Sequence, residues 1–400
     1  MTTTENVRSE EKFVPIQTRS ERPSSFEPAD FETPTGREVN WKHSDLKRLA
    51  PLLVDEATEN IGHDGIRYGV EAIDAAGVLV ESTGHEAAVR GEVFTPEDLP
   101  AAIAWKQCSN ALHIQIPEGK SIGEPLVARL EGLGADIHAN AHIIVEALPG
   151  SQSTVVLHHT GSAAYAQNVE IIVRDGARLN FISVQDWEDD TVHASAHQAR
   201  VDSDAYLKHM VVSFGGGAVR VNPSVRLHGT GSETEMYGLA FADSGQHMES
   251  QVFMFHEGEN TTGNVLYKGA LQGKGARYVW IGDVLIGEGA NGTDSYEKNQ
   301  NLVLTDGTRA DSIPNLEIKN GNIEGAGHAS ATGRFDDEQL FYLRSRGIPE
   351  DEARRLVVVG FLMEIVQKIG IDEIETRIEA LIQEELAAGA SLAPAAKAGA

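Results

Sequence analysis

Two pairs of histidines have the four-residue spacing with which a helix can hold a zinc ion. They are His138 with His142 and His193 with His197. Apolar and polar residues alternate over Ile137–Val145, which predicts a strand, and four strand residues span roughly 13 Å. We therefore expect His138 and His142 to be surface or interface histidines. The alanine-rich segment around His193 and His197 is compatible with a helix or a strand, so a metal pair there is a weak candidate.

Two further motifs partly match known ligand sites. His158-His159, with Glu170 downstream, loosely resembles a cupin metal site, but adjacent residues of a strand point to opposite faces and cannot easily share an ion. Gly119-Lys120-Ser121 lacks the glycine that a phosphate-binding loop needs five residues earlier, because Ile114 stands there. No pairing of a nucleophile with a base is evident either. The sequence therefore predicts no catalytic site.

The charge balance limits the kinds of partner. The chain has 60 acidic and 33 basic residues and a formal net charge of -27. Such a surface repels phosphate backbones and anionic lipid, so we expect neither nucleic acid nor a membrane as partner. The start of the chain lacks the apolar stretch of a secretory signal, and no apolar run reaches the ~18 residues of a membrane span. We expect a cytoplasmic protein.

The cysteine content limits the redox and metal chemistry. Cys108 is the single cysteine among 400 residues, so the chain can form no internal disulfide. A self-contained iron–sulfur cluster needs about four thiolates, which this chain cannot supply. We expect Cys108 to be buried and inert.

The pattern of residues divides the chain into five parts. A polar segment, 1–36, is predicted to be disordered, and an α/β region follows over 37–124. Over 125–334 about ten short alternating strands are separated by glycine-rich turns, which predicts a sandwich, a barrel or a solenoid. No fixed period selects among these three. The period becomes helical over 335–387, and the tail, 388–400, is predicted to be disordered.

The stretch Gln300–Ile348 contains the most specific pattern in the chain. Pro314 restricts its strand to an edge or an end of a sheet. Gly325–His328 is predicted to place an imidazole on open backbone between a strand and a helix. Imidazole binds iron as well as zinc, so His328 is a candidate ligand, although capping or hydrogen bonding is the commoner role of such a histidine.

These residues resemble the C-terminal signature of the SufB/SufD family of iron–sulfur cluster assembly proteins. The likeness extends upstream through Val265–Leu271 to Glu38–Leu46, so it spans about residues 36–386. The resemblance implies a mainly β protein, with a right-handed β-helix flanked by an N-terminal α/β region and a C-terminal helical region.

The function that the resemblance implies is that of a scaffold and not an enzyme. Family members pair with SufB and dock the ABC-type ATPase SufC, and an iron–sulfur cluster is assembled transiently in their complex. The shorter chain and the single cysteine favour the SufD branch over the SufB branch. The resemblance leaves open whether a flavin binds the complex and whether the chain forms a homodimer when alone.

The resemblance also implies site residues. His328 matches a histidine of the interfacial cluster site, but Ala326 stands where many members have a cysteine, so SufB would have to supply the sulfur ligands. We expect a SufC-binding surface that includes six residues of the helical end: Phe341, Tyr342, Arg344, Arg346, Arg354 and Arg355. The alternatives are a SufB-like paralogue, a β-helical carbohydrate-active enzyme and a cupin-like metalloprotein.

Overall fold

The structure is a computed structural model that describes residues 22–56, 59–60, 66–71, 77–334 and 337–392. The helices are α1 (Leu46–Leu49), α2 (Leu99–Gln107), α3 (Asp337–Ser345), α4 (Glu350–Val366) and α5 (Asp372–Leu392). The strands are β1 (Glu59–Asn60), β2 (Ile66–Glu71), β3 (Leu79–Gly84), β4 (Asn110–Ile116), β5 (Leu126–Ala147), β6 (Gln152–Val173), β7 (Arg178–Trp187), β8 (Val192–Val201), β9 (Tyr206–Ser213), β10 (Ala218–Leu227), β11 (Glu233–Ala242), β12 (His247–His256), β13 (Thr262–Leu271), β14 (Arg277–Ile286), β15 (Asp294–Val303), β16 (Arg309–Ile318) and β17 (Gly325–Arg334).

From β4 onward the strands form a parallel β-helix of about eight coils, which confirms the solenoid over the sandwich and the barrel. The earlier strands β2 and β3 pair antiparallel with β5 and β4. Each coil contributes one strand to each of two sheets. Sheet A contains β4, the second halves of β5 and β6, then β8, β10, β12, β14 and β16. Sheet B contains the first halves of β5 and β6, then β7, β9, β11, β13, β15 and β17.

Alternation along the strands fills the lumen between the two sheets. Residues of one parity point inward, and their apolar side chains form one continuous buried cluster from Leu112 to Ile286. Inward-facing glycines leave room for aromatic rings of the adjacent coil. A Cβ at Gly238 would lie 2.0 Å from the ring of Tyr267, which is fully buried. Packing in the lumen therefore depends on matched small and large residues in successive coils.

Turns at one corner of the solenoid stack in register. Gly176, Asp204 and Gly231 each have a positive φ and occupy equivalent positions in successive coils. The N–H of each donates to a carbonyl of the next coil; that of Gly176, for example, donates to Ser203 over 2.8 Å. Glycine adopts this left-handed conformation without strain, whereas Asp204 adopts it at some cost.

The N-terminal region covers the outer face of sheet A. Trp41 is buried there, with the guanidinium of Arg220 4.0 Å from its ring centre. The predicted disordered segment 1–36 is described from residue 22 onward, and residues 1–21 lie outside the described residues. Within 22–36, Phe26 packs on Trp105 of α2, with 4.6 Å between ring centres. That part of the segment is therefore packed against the body of the protein.

The C-terminal helices α4 and α5 cover the outer face of sheet B. Leu362 and Ile365 of α4 and Ile378 of α5 join the outward-facing apolar residues of the sheet in a second buried cluster. Helix α5 continues to Leu392, beyond the predicted end of the helical region, because alanine is a strong helix former. Residues 393–400 lie outside the described residues. Among the helices that the structure describes, none is both long and apolar enough to span a bilayer.

Candidate functional site

His328 lies in the last strand of sheet B. The prediction of open backbone at this point is wrong, because Gly325–Arg334 forms β17 and pairs in parallel with β15. The register sets His328 opposite Glu297, so both residues have the parity that points into the lumen. No coil follows β17 among the described residues, and the imidazole is therefore 45% exposed at the open end of the β-helix.

Glu297 lies directly behind His328 and is only 1% exposed. Its Oε1 is 3.7 Å from Nδ1 of His328, and neither carboxylate oxygen accepts a hydrogen bond from the part of the chain that the structure describes. Burial, with a smaller contribution from the charge of Asp283, raises the pKa of Glu297 to about 8. The open end thus combines a solvent-accessible imidazole with a buried carboxyl group that has no hydrogen-bond partner among the described residues.

The surroundings of this pair determine how much space it has. Gly282 of β14 faces Glu297 across the lumen, and a Cβ there would lie 2.5 Å from Oε2 of the carboxylate. Asp283 accepts a hydrogen bond of 2.7 Å from Asn315 of β16. Ala326 pairs with Ser295 and packs against the lumen core, so the position of the family cysteine carries only a methyl group.

The open end also presents unpaired strand edges. Within the described residues, β16 pairs only with β14 and β17 pairs only with β15. Pro314 lies in β16, which agrees with the prediction that its strand is at an edge. The side chains of β17 are half-buried or exposed along its whole length. Such edges are templates for pairing with a strand of another chain.

The predicted partner-binding residues lie at the start of the C-terminal helical region. Phe341 is 75% and Tyr342 is 55% exposed on α3, although both are large and apolar or amphipathic. Arg346 lies over the ring of Tyr342, with 4.7 Å from its guanidinium carbon to the ring centre. Arg344 pairs with Glu350 over 3.1 Å. Aromatic side chains and arginine are the residue types that dominate protein interfaces.

The other two arginines of the set are held by contacts within α4 and with α5. Arg354 pairs with Glu350 over 3.0 Å. Arg355 pairs with Glu352 and also donates to Gln383 of α5 over 2.6 Å. These contacts occupy part of their hydrogen-bonding capacity, so α3 offers the more accessible surface.

Comparisons with known proteins agree with this architecture. A family model described as the SufBD core domain of the SUF system for FeS cluster assembly matches residues 131–361. An iron-sulfur cluster assembly SufBD family protein of Mycobacterium bovis is 45% identical over 374 residues, which cover 91% of this chain and 92% of the relative. The chain belongs to the SufBD family.

Other relatives match this SufBD protein to different extents. A SufBD family protein of Mycobacterium leprae is 44% identical over 369 residues, covering 91% of this chain and 93% of that protein. A second one from the same organism is 31% identical over 204 residues, covering 51% of this chain but 23% of that protein.

The remaining histidine candidates have structural contacts in this SufBD protein. His142, predicted at a surface or an interface, is instead buried beneath the N-terminal region, with its Nε2 3.2 Å from Glu170. Both ring nitrogens of His159 are hydrogen bonded, to the carbonyl of Val184 and the side chain of Gln167. His158 lies on the opposite face, 3.4 Å from Asp186.

His193 and His197 both lie in β8 and point into the lumen, where strand geometry keeps them too far apart to share one ion. Among the described residues, no group of three or more histidine, cysteine, aspartate and glutamate side chains is placed to hold a metal. Cys108 is buried as predicted, and burial raises the pKa of its thiol. Glu297 could not be recognised as a site residue from the sequence analysis above. Its side chain lies on the same face of β15 as that of Ser295.

Proposed function

We propose that this SufBD protein is a scaffold subunit that pairs with a SufB homologue through the open end of its β-helix and docks the SufC ATPase on its C-terminal helices. The observation that carries the proposal is the open end itself, where β17 combines an unpaired edge with the exposed imidazole of His328. A second chain that adds a strand to this edge would complete the site.

The metal chemistry of the proposal is shared between subunits. The iron–sulfur cluster is the cargo of the complex and not a resident group of this chain. His328 contributes one nitrogen ligand, while thiolates come from the SufB homologue, because the single thiol here is buried within the protein. This division of ligands supports the SufD branch and a role without catalysis of its own. Any flavin would belong to the whole complex, which we place in the cytoplasm.

The proposed SufC surface is formed by exposed aromatic and basic residues of α3 and of the turn that follows it. Phe341 and Tyr342 supply apolar contact area, and Arg344 and, just after the helix, Arg346 supply charge at the same surface. Arg354 and Arg355 form its border on α4. Without a SufB homologue, the unpaired edge of β17 is available to a second copy of this chain, so we expect a homodimer in isolation.

The decisive experiment is co-expression of the full chain with its cognate SufB and SufC, followed by native mass measurement of the purified complex. We expect one copy of this chain and one SufB with two SufC. If the chain purifies alone under conditions in which the other two are soluble, the proposed function is wrong.

Charge reversal separates the two proposed interfaces. Replacing Arg344 and Arg346 by glutamate should release SufC, because both charges lie at the α3 surface, but should leave SufB pairing intact. The matched control is Arg67→Glu, the same change at an exposed arginine of β2 whose partner is Glu131. SufC binding that survives the double reversal would refute the assignment of this surface.

A further inference from the structure

The dipeptide Asn-Gly occurs twice in the chain, and both copies lie in stacked turns at the same corner of the β-helix. Asn291-Gly292 lies between β14 and β15, and Asn320-Gly321 lies one coil later, between β16 and β17. In such a pair the backbone nitrogen of glycine can attack the side-chain amide carbon of asparagine, because glycine has no side chain that blocks the approach. The two copies therefore place one possible reaction in two different environments.

The turn at Asn291 holds its glycine in place. The N–H of Gly292 donates to the carbonyl of Asn322 over 2.8 Å, and Gly292 has a φ of 70°. Asn291 is also held, since its carbonyl accepts from the N–H of Asn260 over 2.7 Å and its side chain donates to Glu259 over 3.0 Å. Attack by the nitrogen of Gly292 would require these hydrogen bonds to open first, so we expect Asn291 to be stable.

The turn at Asn320 lacks these restraints on its glycine. Gly321 is exposed, and its N–H has no acceptor in the part of the chain that the structure describes. The side-chain amide of Asn320 is also polarised, because its Oδ1 accepts the N–H of Asn322 over 2.9 Å and the amide carbon becomes more electrophilic. Its Nδ2 donates to Oδ1 of Asn291 over 3.0 Å, which limits the rotation of the side chain.

We propose that Asn320 is a site of spontaneous deamidation, which gives the open end of the β-helix a new negative charge. The deprotonated backbone nitrogen of Gly321 forms a bond to Cγ of Asn320, and the side-chain nitrogen leaves as ammonia after taking up a proton from solvent. Water then opens the cyclic imide at one of its two carbonyl carbons and gives either aspartate or β-linked isoaspartate. The reaction needs no reactant besides water.

The product would disturb the corner at the open end. A carboxylate accepts hydrogen bonds but cannot donate them, so Asn291 would lose the bond that it accepts from Asn320. The charge of Glu259, which is bonded to the other side of Asn291, opposes a second carboxylate nearby. In the isoaspartyl product the main chain is also one atom longer just before β17. We therefore expect the modified chain to pair less well with a SufB homologue, a consequence that rests on the proposed function.

Incubation of the full-length chain in mildly alkaline buffer, followed by peptide mass spectrometry, tests the site. We expect Asn320 to deamidate at least about tenfold faster than Asn291, because Gly292 must first break its hydrogen bond. In denaturant the two rates should converge, since the stacked corner is then absent. The matched variant is Gly321→Ala, in which deamidation of Asn320 should be slow; a Cβ at Gly321 would meet no atom within 4 Å, so this variant should fold. Equal rates at the two asparagines of the native chain, or an unchanged rate in Gly321→Ala, would overturn the proposal.

Pairing is measured on the same samples. The incubated chain is mixed with its cognate SufB and SufC, and the deamidated fraction is compared between paired and unpaired chains. We expect the deamidated chain to be depleted from the complex and Gly321→Ala to keep its pairing after the same incubation. Equal fractions in both pools would refute the effect on pairing. If even the fresh chain does not pair, the proposed function is wrong, while the deamidation rates still decide the assignment of Asn320.

Discussion

Lys268 provides a direct test of how the C-terminal helices are held on the β-helix. Its side chain on β13 is only 4% exposed. The ammonium group donates to the carbonyl of Phe361 over 2.8 Å and to the carboxylate of Glu364 over 2.5 Å, and lies 4.4 Å from the ring of Phe361. All three contacts are with α4. We therefore expect Lys268→Ala to loosen this helix selectively.

The size of the effect follows from these contacts. Hydrogen bonds from a charged donor contribute about 1.5–3 kcal/mol net, and the lost packing of the aliphatic stem adds about 1 kcal/mol. Glu364 is half-exposed, so its carboxylate regains water when the lysine is removed. A total of about 3 kcal/mol corresponds to a roughly 100-fold faster amide exchange in α4.

Hydrogen exchange measured by mass spectrometry is the appropriate assay, because it reports α4 and the β-helix separately. The matched control is Lys319→Ala, which removes an exposed lysine paired with Glu317 at the end of β16 and should change little. Unchanged protection of α4 in Lys268→Ala would refute the reasoning. An equal loss of protection in the β-helix strands would also refute it, since the effect would then be global.

Three other predictions concern the stability and reactivity of the fold. Burial alone would raise the pKa of Glu249, but its hydrogen bond with His247 and the charge of Arg220 lower it to about 2. The ionised carboxylate of Glu249 therefore stabilises the fold fully above about pH 4.5, and this stabilisation of about 3 kcal/mol is lost as the pH falls toward 2. In Glu249→Gln the denaturant midpoint should fall correspondingly less over the same pH range. Gly238→Ala should cost at least about 2 kcal/mol in denaturant unfolding, because its methyl group would collide with the buried ring of Tyr267; wild-type stability would contradict the packing described. Cys108 should react with thiol reagents only after unfolding, and rapid labelling of the native chain would show that it is accessible.

The strands of the β body could be predicted from sequence, but their assembly could not. Alternation identifies a strand such as β13 because its inward and outward residues meet different environments. The repeat is hidden because the turns differ in length, with four residues between β7 and β8 and seven between β14 and β15. Val192 therefore pairs 26 residues ahead with Ala218, whereas Arg277 pairs 32 residues ahead with Arg309.

Residues whose surroundings come from distant parts of the chain were predicted less well. The alternation around His142 identifies its strand correctly, yet nothing local shows that α2 and the preceding loop cover its outer face. Gly325–Arg334 has few β-branched residues, so it becomes a strand only because β15 provides an edge to pair with. Tertiary pairing here overrides a weak local preference.

Of the two residues at the open end, His328 was predicted from the sequence and Glu297 was not. The family resemblance draws attention to His328, but Glu297 lies in a polar stretch that looks like solvent-exposed strand. Its alternation with Ser295 and Asn299 is the available signal, since all three share one face. The signal was missed because polar residues usually mark the outside of a strand, whereas near the open end of this β-helix they line the lumen.

Lys268 also has a mechanical consequence, because it clamps α4 to the same sheet that ends at His328. Lys268 on β13 lies in register with Gln300 on β15, which is in register with Ala331 on β17. Parallel strands joined by ladders of hydrogen bonds resist in-plane shear, and the packed lumen resists compression. A load applied to α4 would therefore displace the open end as a rigid body. A movement of the helices would therefore be transmitted to β17 without first distorting the strands between them.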